Sequence, residues 1–207
     1  MTRLPRFART AWVATATTAL AGAGILLLAA CDGGAIGAAN DPGNTSGQSF
    51  VSASYNSKFF APGSRELAPA VTGTLLTGQH FSLKAERGYV VVMNFWGSWC
   101  APCRQEAPVL GSLATHFQGK DVRFIGDNVL DEPATAEAFE RTFNISYPSI
   151  NDPGEQVALA FHNSVPPSAI PTTLVIDRTG HIAARVVGEV SYDGLKALIG
   201  DVLAGKS

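Results

Sequence analysis

Tyr89-Val90-Val91-Val92-Met93-Asn94-Phe95-Trp96 is an almost unbroken apolar run. A strand wetted on one face alternates apolar and polar residues; a strand covered on both faces reads as a continuous apolar stretch. Soon after this run the period changes. Val109, Leu110, Leu113 and Phe117 fall on one helical face of a segment over 102–117, and Gly119 stops it. The rest of the chain extends the alternation. A hairpin is predicted over 74–83 with Thr77-Gly78-Gln79 at its tip, and a short strand over 122–125. Asp131 or Glu132 with Pro133 marks a helix start, and Ala136, Phe139 and Phe143 form that helix's buried stripe. Asp152-Pro153-Gly154 reads as a turn, followed by a short helix over 156–161. Two strands, 173–177 and 181–187, join at Arg178-Thr179-Gly180, and Leu195, Leu198, Ile199 and Val202 mark a last helix. The pattern predicts an α/β fold: a mixed central sheet flanked by helices, with an N-terminal β-hairpin extension.

The N-terminal segment obeys different rules. Arg3, Arg6 and Arg9 precede an uncharged stretch from 11 to 30, the layout of a secretory signal. A helix of that length would also span about 30 Å, so a retained membrane helix is the competing reading. Leu28-Ala29-Ala30-Cys31 resembles the lipobox of bacterial lipoproteins. The resemblance implies cleavage before Cys31, diacylation of its sulfur, and a lipid anchor on the extracytoplasmic face of a bacterial membrane. Residues 32–49 carry five glycines in eighteen positions and little apolar surface, so they read as a tether with a reach of roughly 20–25 Å. The expected organisation is a signal peptide over 1–30, a lipidated cysteine and linker over 31–66, and one α/β domain over 67–207. Phe50, Phe59 and Phe60 suggest that part of 50–68 packs on the domain.

Composition removes several classes. Charged residues make up only 15% of the chain and apolar residues 46%, which excludes a disordered polyelectrolyte and a nucleic-acid binder built on a basic face. The formal charge is −2, and beyond residue 30 the chain holds 12 basic and 17 acidic residues. Three cysteines exclude a disulfide-dense scaffold but leave an odd number to explain. Lipid on Cys31 would leave Cys100 and Cys103 as a pair.

The chemistry is concentrated at Trp99-Cys100-Ala101-Pro102-Cys103. A lone C-x-x-C can bind metal or exchange disulfides. Structural zinc needs four ligands, and His80, His116, His162 and His181 follow no ligand spacing, so no metal and no cofactor are expected. This pair closes a buried strand and opens a helix. The helix N-terminus offers unpaired N–H groups and about half a positive charge, which stabilise a thiolate. Cys100, nearer the exposed tip, is then the nucleophile, and Cys103, one turn in, the more buried resolving thiol. Pro102 suits a first-turn position because it has no N–H to lose. A purely structural disulfide is the weaker alternative, since so short a loop constrains the unfolded chain little.

The segment from Asn94 to Pro108, with Trp99-Cys100-Ala101-Pro102-Cys103 followed by Glu106 and Pro108, resembles the active-site segment of the thioredoxin superfamily. It is similar to the extracytoplasmic TlpA/ResA-like branch, and the likeness extends over 68–204. Ile170-Pro171-Thr172-Thr173 precedes a strand as the cis-proline of that fold does. The resemblance implies a cis Pro171 beside Cys100, with the Ile170 backbone and Trp99 as substrate contacts. Where thioredoxin has a buried aspartate, six residues before the first cysteine, this chain has Asn94, which cannot titrate. The resemblance gives the proton-transfer role to Glu106, three residues after Cys103 and on the same helix face.

The implied function is a membrane-tethered, extracytoplasmic thiol–disulfide oxidoreductase. It would reduce disulfides of exported client proteins, such as apocytochrome c or copper-site proteins, drawing on a membrane electron donor. Two alternatives stay open on the same residues: an oxidant for exported proteins, and a metal-delivery module. A thiol peroxidase would need a threonine ahead of its reactive cysteine, and Ser98-Trp99 stand there instead.

Overall fold

The computed structural model describes residues 57–166 and 169–205. The expected signal segment, Cys31 and most of the linker lie outside the described residues. A six-stranded mixed sheet runs through the domain in the order β1-β8-β7-β4-β5-β6. Its strands are β1 (Ser57–Phe59), β4 (Val90–Trp96), β5 (Val122–Val129), β6 (Ser149–Asp152), β7 (Thr172–Ile176) and β8 (Ile182–Val187). β4, β5 and β6 are parallel; β7 is antiparallel to β4, β8 to β7, and β1 to β8. The hairpin β2 (Thr72–Thr74) and β3 (His80–Ser82) stands apart and bridges to the sheet at Leu75↔Ile150. The helices are α1 (Ala101–His116), α2 (Pro133–Phe143), α3 (Gln156–Ala160) and α4 (Tyr192–Leu203).

All seven residues of β4 are buried, as its unbroken apolar run requires. Its side chains alternate between two cores. Val90 and Val92 join Leu110, Leu113, Leu195 and Ile199 from α1 and α4. Val91, Met93 and Phe95 join Phe81 from the hairpin and Val157 of α3. A third cluster, at the C-terminal end of β4, holds Trp96, Cys100, Cys103 and Ala107 against Ala136 and Phe139 of α2. The strand alternation thus decides which side chains can reach the cysteines.

Three elements differ from expectation. The strand predicted over 122–125 continues to Val129, because Gly126, Asp127 and Asn128 are buried and paired despite their polarity. Gly126 is required there: a Cβ would collide with Ser149 Oγ and with the Trp96 indole nitrogen. β6, four residues of mixed character just ahead of the predicted turn, carries no clear periodicity. β1 falls within the stretch assigned to linker. Ser57–Phe59 pairs with β8, and Arg65 Nη1 meets Asp177 Oδ2 at 3.1 Å, so 57–66 belongs to the folded domain rather than the tether.

Candidate active site

α1 begins directly beyond β4, across the loop 97–99. Cys100 is its N-cap, Pro102 lies in the first turn, and the backbone N–H of Cys103 donates to Cys100 Sγ at 3.2 Å. Cys100 and Cys103 form a disulfide with an S–S distance of 2.04 Å. Sequence reasoning expected Cys100 to be the exposed member. Both residues are buried, at 3% and 2% relative exposure, and the side chain in solvent at this end is Trp99, 51% exposed. Trp96 and Phe139 cover the pair from the sheet and α2, and Ile170 packs against the same cluster. Helix position, not accessibility, therefore separates the two sulfurs.

Glu106 is a buried residue of α1, one turn beyond Cys103. Asn94 Nδ2 donates to its Oε1 at 2.8 Å, and the Val190 N–H donates to its Oε2 at 3.1 Å. Asn94 Nδ2 also donates to Thr173 Oγ1 at 3.1 Å, which fixes the amide between β4 and β7. Burial pushes the Glu106 carboxyl up to about 7, against the two hydrogen bonds and with a small push from the Glu189 charge. A carboxyl that binds its proton near neutrality can both take and return one at working pH.

Pro171 is buried and the Ile170–Pro171 peptide bond is cis, as the resemblance implied. Ile170 borders the cysteine cluster. Trp99 lies one residue ahead of Cys100, and its indole N–H donates to the Val129 carbonyl at 3.2 Å. Gly97 makes room for that indole, since a Cβ there would run into the ring.

Sequence reasoning missed the brace that holds this loop. Asp131 was read as a possible helix start, but Glu132 is the N-cap of α2 and makes no side-chain cap bond. The buried Asp131 carboxylate instead accepts from the Ser98 N–H (2.7 Å), Ser98 Oγ (2.6 Å) and Asn128 Nδ2 (2.8 Å). Arg104 closes the other side, donating from Nε and Nη2 to the Ser98 carbonyl at 3.1 and 2.7 Å. All three hydrogen-bonding groups of Ser98, two residues from Cys100, are thereby fixed. No sequence signal marks Asp131 for this role, because its partner lies 33 residues away. Among the described residues no group of three or more His, Cys, Asp and Glu could hold a metal ion.

The chain is similar to known proteins in sequence and in fold. Residues 65–185 match the AhpC/TSA family. The thiol-disulfide oxidoreductase ResA of Geobacillus thermodenitrificans is 32% identical over 129 residues, 62% of this chain and 72% of that protein. A solved DsbF homologue from Corynebacterium diphtheriae superposes with a TM-score of 0.66 at 34% identity, covering 72% of this chain and 94% of that one. A secreted thiol-disulfide isomerase from Corynebacterium glutamicum gives 0.68 at 30% identity, covering 73% and 93%. The family match over 65–185 and the likeness in sequence and in fold to these oxidoreductases, with the Cys100–Cys103 disulfide at the start of α1, place the chain in the AhpC/TSA family of the thioredoxin superfamily, as a ResA-like thiol–disulfide oxidoreductase.

Proposed function

We propose that this oxidoreductase works on the extracytoplasmic face of a bacterial membrane, anchored through lipid on Cys31, and that it reduces disulfides of exported client proteins. The observation that carries the reading is the Cys100–Cys103 pair at the N-terminus of α1 with a near-neutral carboxyl, Glu106, one turn further along. In the reduced protein the helix terminus stabilises the Cys100 thiolate. That thiolate attacks a client disulfide, forming a Cys100–client bond and releasing one client thiolate. Glu106 accepts the proton of Cys103, whose thiolate attacks Cys100 Sγ. The ring closes, the second client sulfur leaves and is protonated, and two electrons have passed to the client. A membrane donor returns the protein to the dithiol.

The anchor reading rests on Leu28-Ala29-Ala30-Cys31 and the uncharged stretch before it. Among the described residues no helix is long and apolar enough to cross a membrane. The C. glutamicum neighbour is itself described as secreted. By resemblance, clients are the disulfide-bearing apoproteins of cytochrome c or copper-site assembly, which the reaction returns to the dithiol form.

Trapping tests the reading. Cys103→Ser in the native host should accumulate mixed disulfides on Cys100 with exported proteins, and Cys31→Ala should abolish incorporation of labelled fatty acid into the protein. A redox titration gives the direction: a potential near that of thioredoxin, about −270 mV, fits a reductant, and one near about −120 mV reverses the flow. Failure to trap any partner would refute the reading.

A further inference from the structure

Leu130 occupies a place that folding alone does not explain. Its φ is +56°, in the left-handed region that a branched side chain enters only at a cost and that glycine or asparagine adopts readily. The side chain is not repaid by burial, because Leu130 is 54% exposed. The backbone is held there by its neighbours. Asp131 is locked by its three hydrogen bonds to Ser98 and Asn128, and the Val129 carbonyl, joined to the Leu130 nitrogen, accepts from the Trp99 indole. A strained, exposed apolar residue whose conformation is over-determined by its surroundings is the pattern found at contact sites.

The Trp99–Val129 bond ties the backbone at Leu130 to the residue next to Cys100 in the chain, and both Leu130 and Trp99 expose apolar side chains there. The cysteine itself is only 3% exposed, so a client sulfur reaching it must cross the surface next to Trp99. Side chains within a residue or two of the client's cysteine then land on this shelf. We propose that Leu130, with Trp99, is a specificity-determining contact that receives an apolar side chain flanking the client cysteine, so that the preferred substrate is an extended polypeptide disulfide with such a neighbour. This rests on the disulfide-exchange reading above and names the client chemistry it favours.

The test uses the reduced protein and short peptides whose single cysteine is bonded to thionitrobenzoate, with Leu or Ser beside the cysteine. Cys100 thiolate attacks the peptide sulfur, the Cys100–peptide bond forms, and coloured thionitrobenzoate leaves as the thiolate. Cys103 then closes the ring and releases the peptide thiol, so two electrons reduce one disulfide. The rate with dithiobis-nitrobenzoate, which has no flanking side chain, normalises for changes at Cys100 itself. The native protein should prefer the Leu peptide in the second-order rate constant of this single turnover by about five-fold, the size expected for covering the open half of a leucine. In Leu130→Asn and Leu130→Gly the normalised preference should fall to near unity, with an unfolding midpoint equal to or above the native one, because strain is relieved. Leu130→Met should retain the preference. A preference that survives Leu130→Asn overturns the proposal while leaving the exchange reading intact. A native protein that reacts with neither peptide overturns the exchange reading itself.

Discussion

Glu106→Gln tests the proton-binding role directly. In the folded protein the carboxyl titrates near 7, against an ordinary value of 4.5 for the unfolded chain. The shift is about 2.5 units, and at 1.36 kcal/mol per unit it amounts to roughly 3 kcal/mol. The folded state binds this proton more tightly than the unfolded state does. Stability from Glu106 is therefore complete below about pH 4.5, falls as pH rises towards about 7, and is gone above that. Glutamine cannot titrate, so the variant loses this slope. It also places an amide nitrogen against one of two donors, Asn94 Nδ2 or the Val190 N–H, at a pH-independent cost of about 1–3 kcal/mol. The oxidised variant should be the less stable protein near about pH 4.5 and should gain about 3 kcal/mol on the native one by about pH 8. Urea unfolding of both proteins across that window, with the disulfide intact, measures the difference, and taking the difference cancels all other titrating groups. A constant gap between the two proteins would mean that Glu106 holds its proton no more tightly in the fold than outside it, and the proton-transfer argument would go with it. Turnover should follow the same logic. The native pH profile should carry an inflection near neutrality that belongs to the Glu106–Cys103 pair, and the variant should lose it along with about a hundred-fold in rate.

Two further outcomes follow from other buried carboxylates. Asp131→Asn should slow attack by Cys100 on a small disulfide by about ten-fold, since a misplaced nucleophile is costly. The equally buried Asp152, which accepts from the N–H groups of Gln156, Val157 and Ala158, is the control: Asp152→Asn should cost about 1–3 kcal/mol in unfolding without slowing exchange, and equal slowing in both variants would reduce Asp131 to a structural residue. Asp127→Val should stabilise the protein by about 1–3 kcal/mol, because both carboxylate oxygens are buried without a hydrogen-bond partner. Burial, with the charges of Asp152 and Glu155, raises the Asp127 carboxyl well above its ordinary value, so the gain should widen as pH rises above about 4 and thermal unfolding at two pH values checks it.

The sequence revealed the parts of the fold that are fixed by local pattern. β4 announces itself because both its faces are covered, and α1 because Val109, Leu110, Leu113 and Phe117 keep a helical period. The disulfide pair and Glu106 were legible because strand end, helix start and carboxyl lie within thirteen residues of one another, from Asn94 to Glu106. What was hidden depends on distant partners. β1 is three residues long and becomes a strand only by pairing with β8, more than a hundred positions along the chain. The polar half of β5 looks like a loop until β6 is laid beside it. Asp131 looks like a helix cap, which is the commonest use of an acid ahead of Pro133, and only the fold shows Ser98 in front of it. The exposure of Cys100 was misjudged for the same reason: helix position is local, but the cover from Phe139 and Ile170 is not.

Strand parity explains why only one of two buried, proton-binding carboxyls can serve the cysteines. Asn94 is an even position of β4 and faces α1, where its amide meets Glu106. Phe95, the next residue, points to the opposite core and is in register with Asp127 on β5. Asp127 therefore sits with Ile125 and Ile150 on the α3 side of the sheet, separated from Cys103 by the sheet itself. Moving the carboxyl from one side to the other would need a one-residue slip of the strand, and such a slip would turn every buried side chain of β5 to the wrong core. Glu106 escapes this constraint by standing on the helix rather than the sheet. Its place one turn beyond Cys103 is set by the backbone of the helix and not by the bond between the two sulfurs.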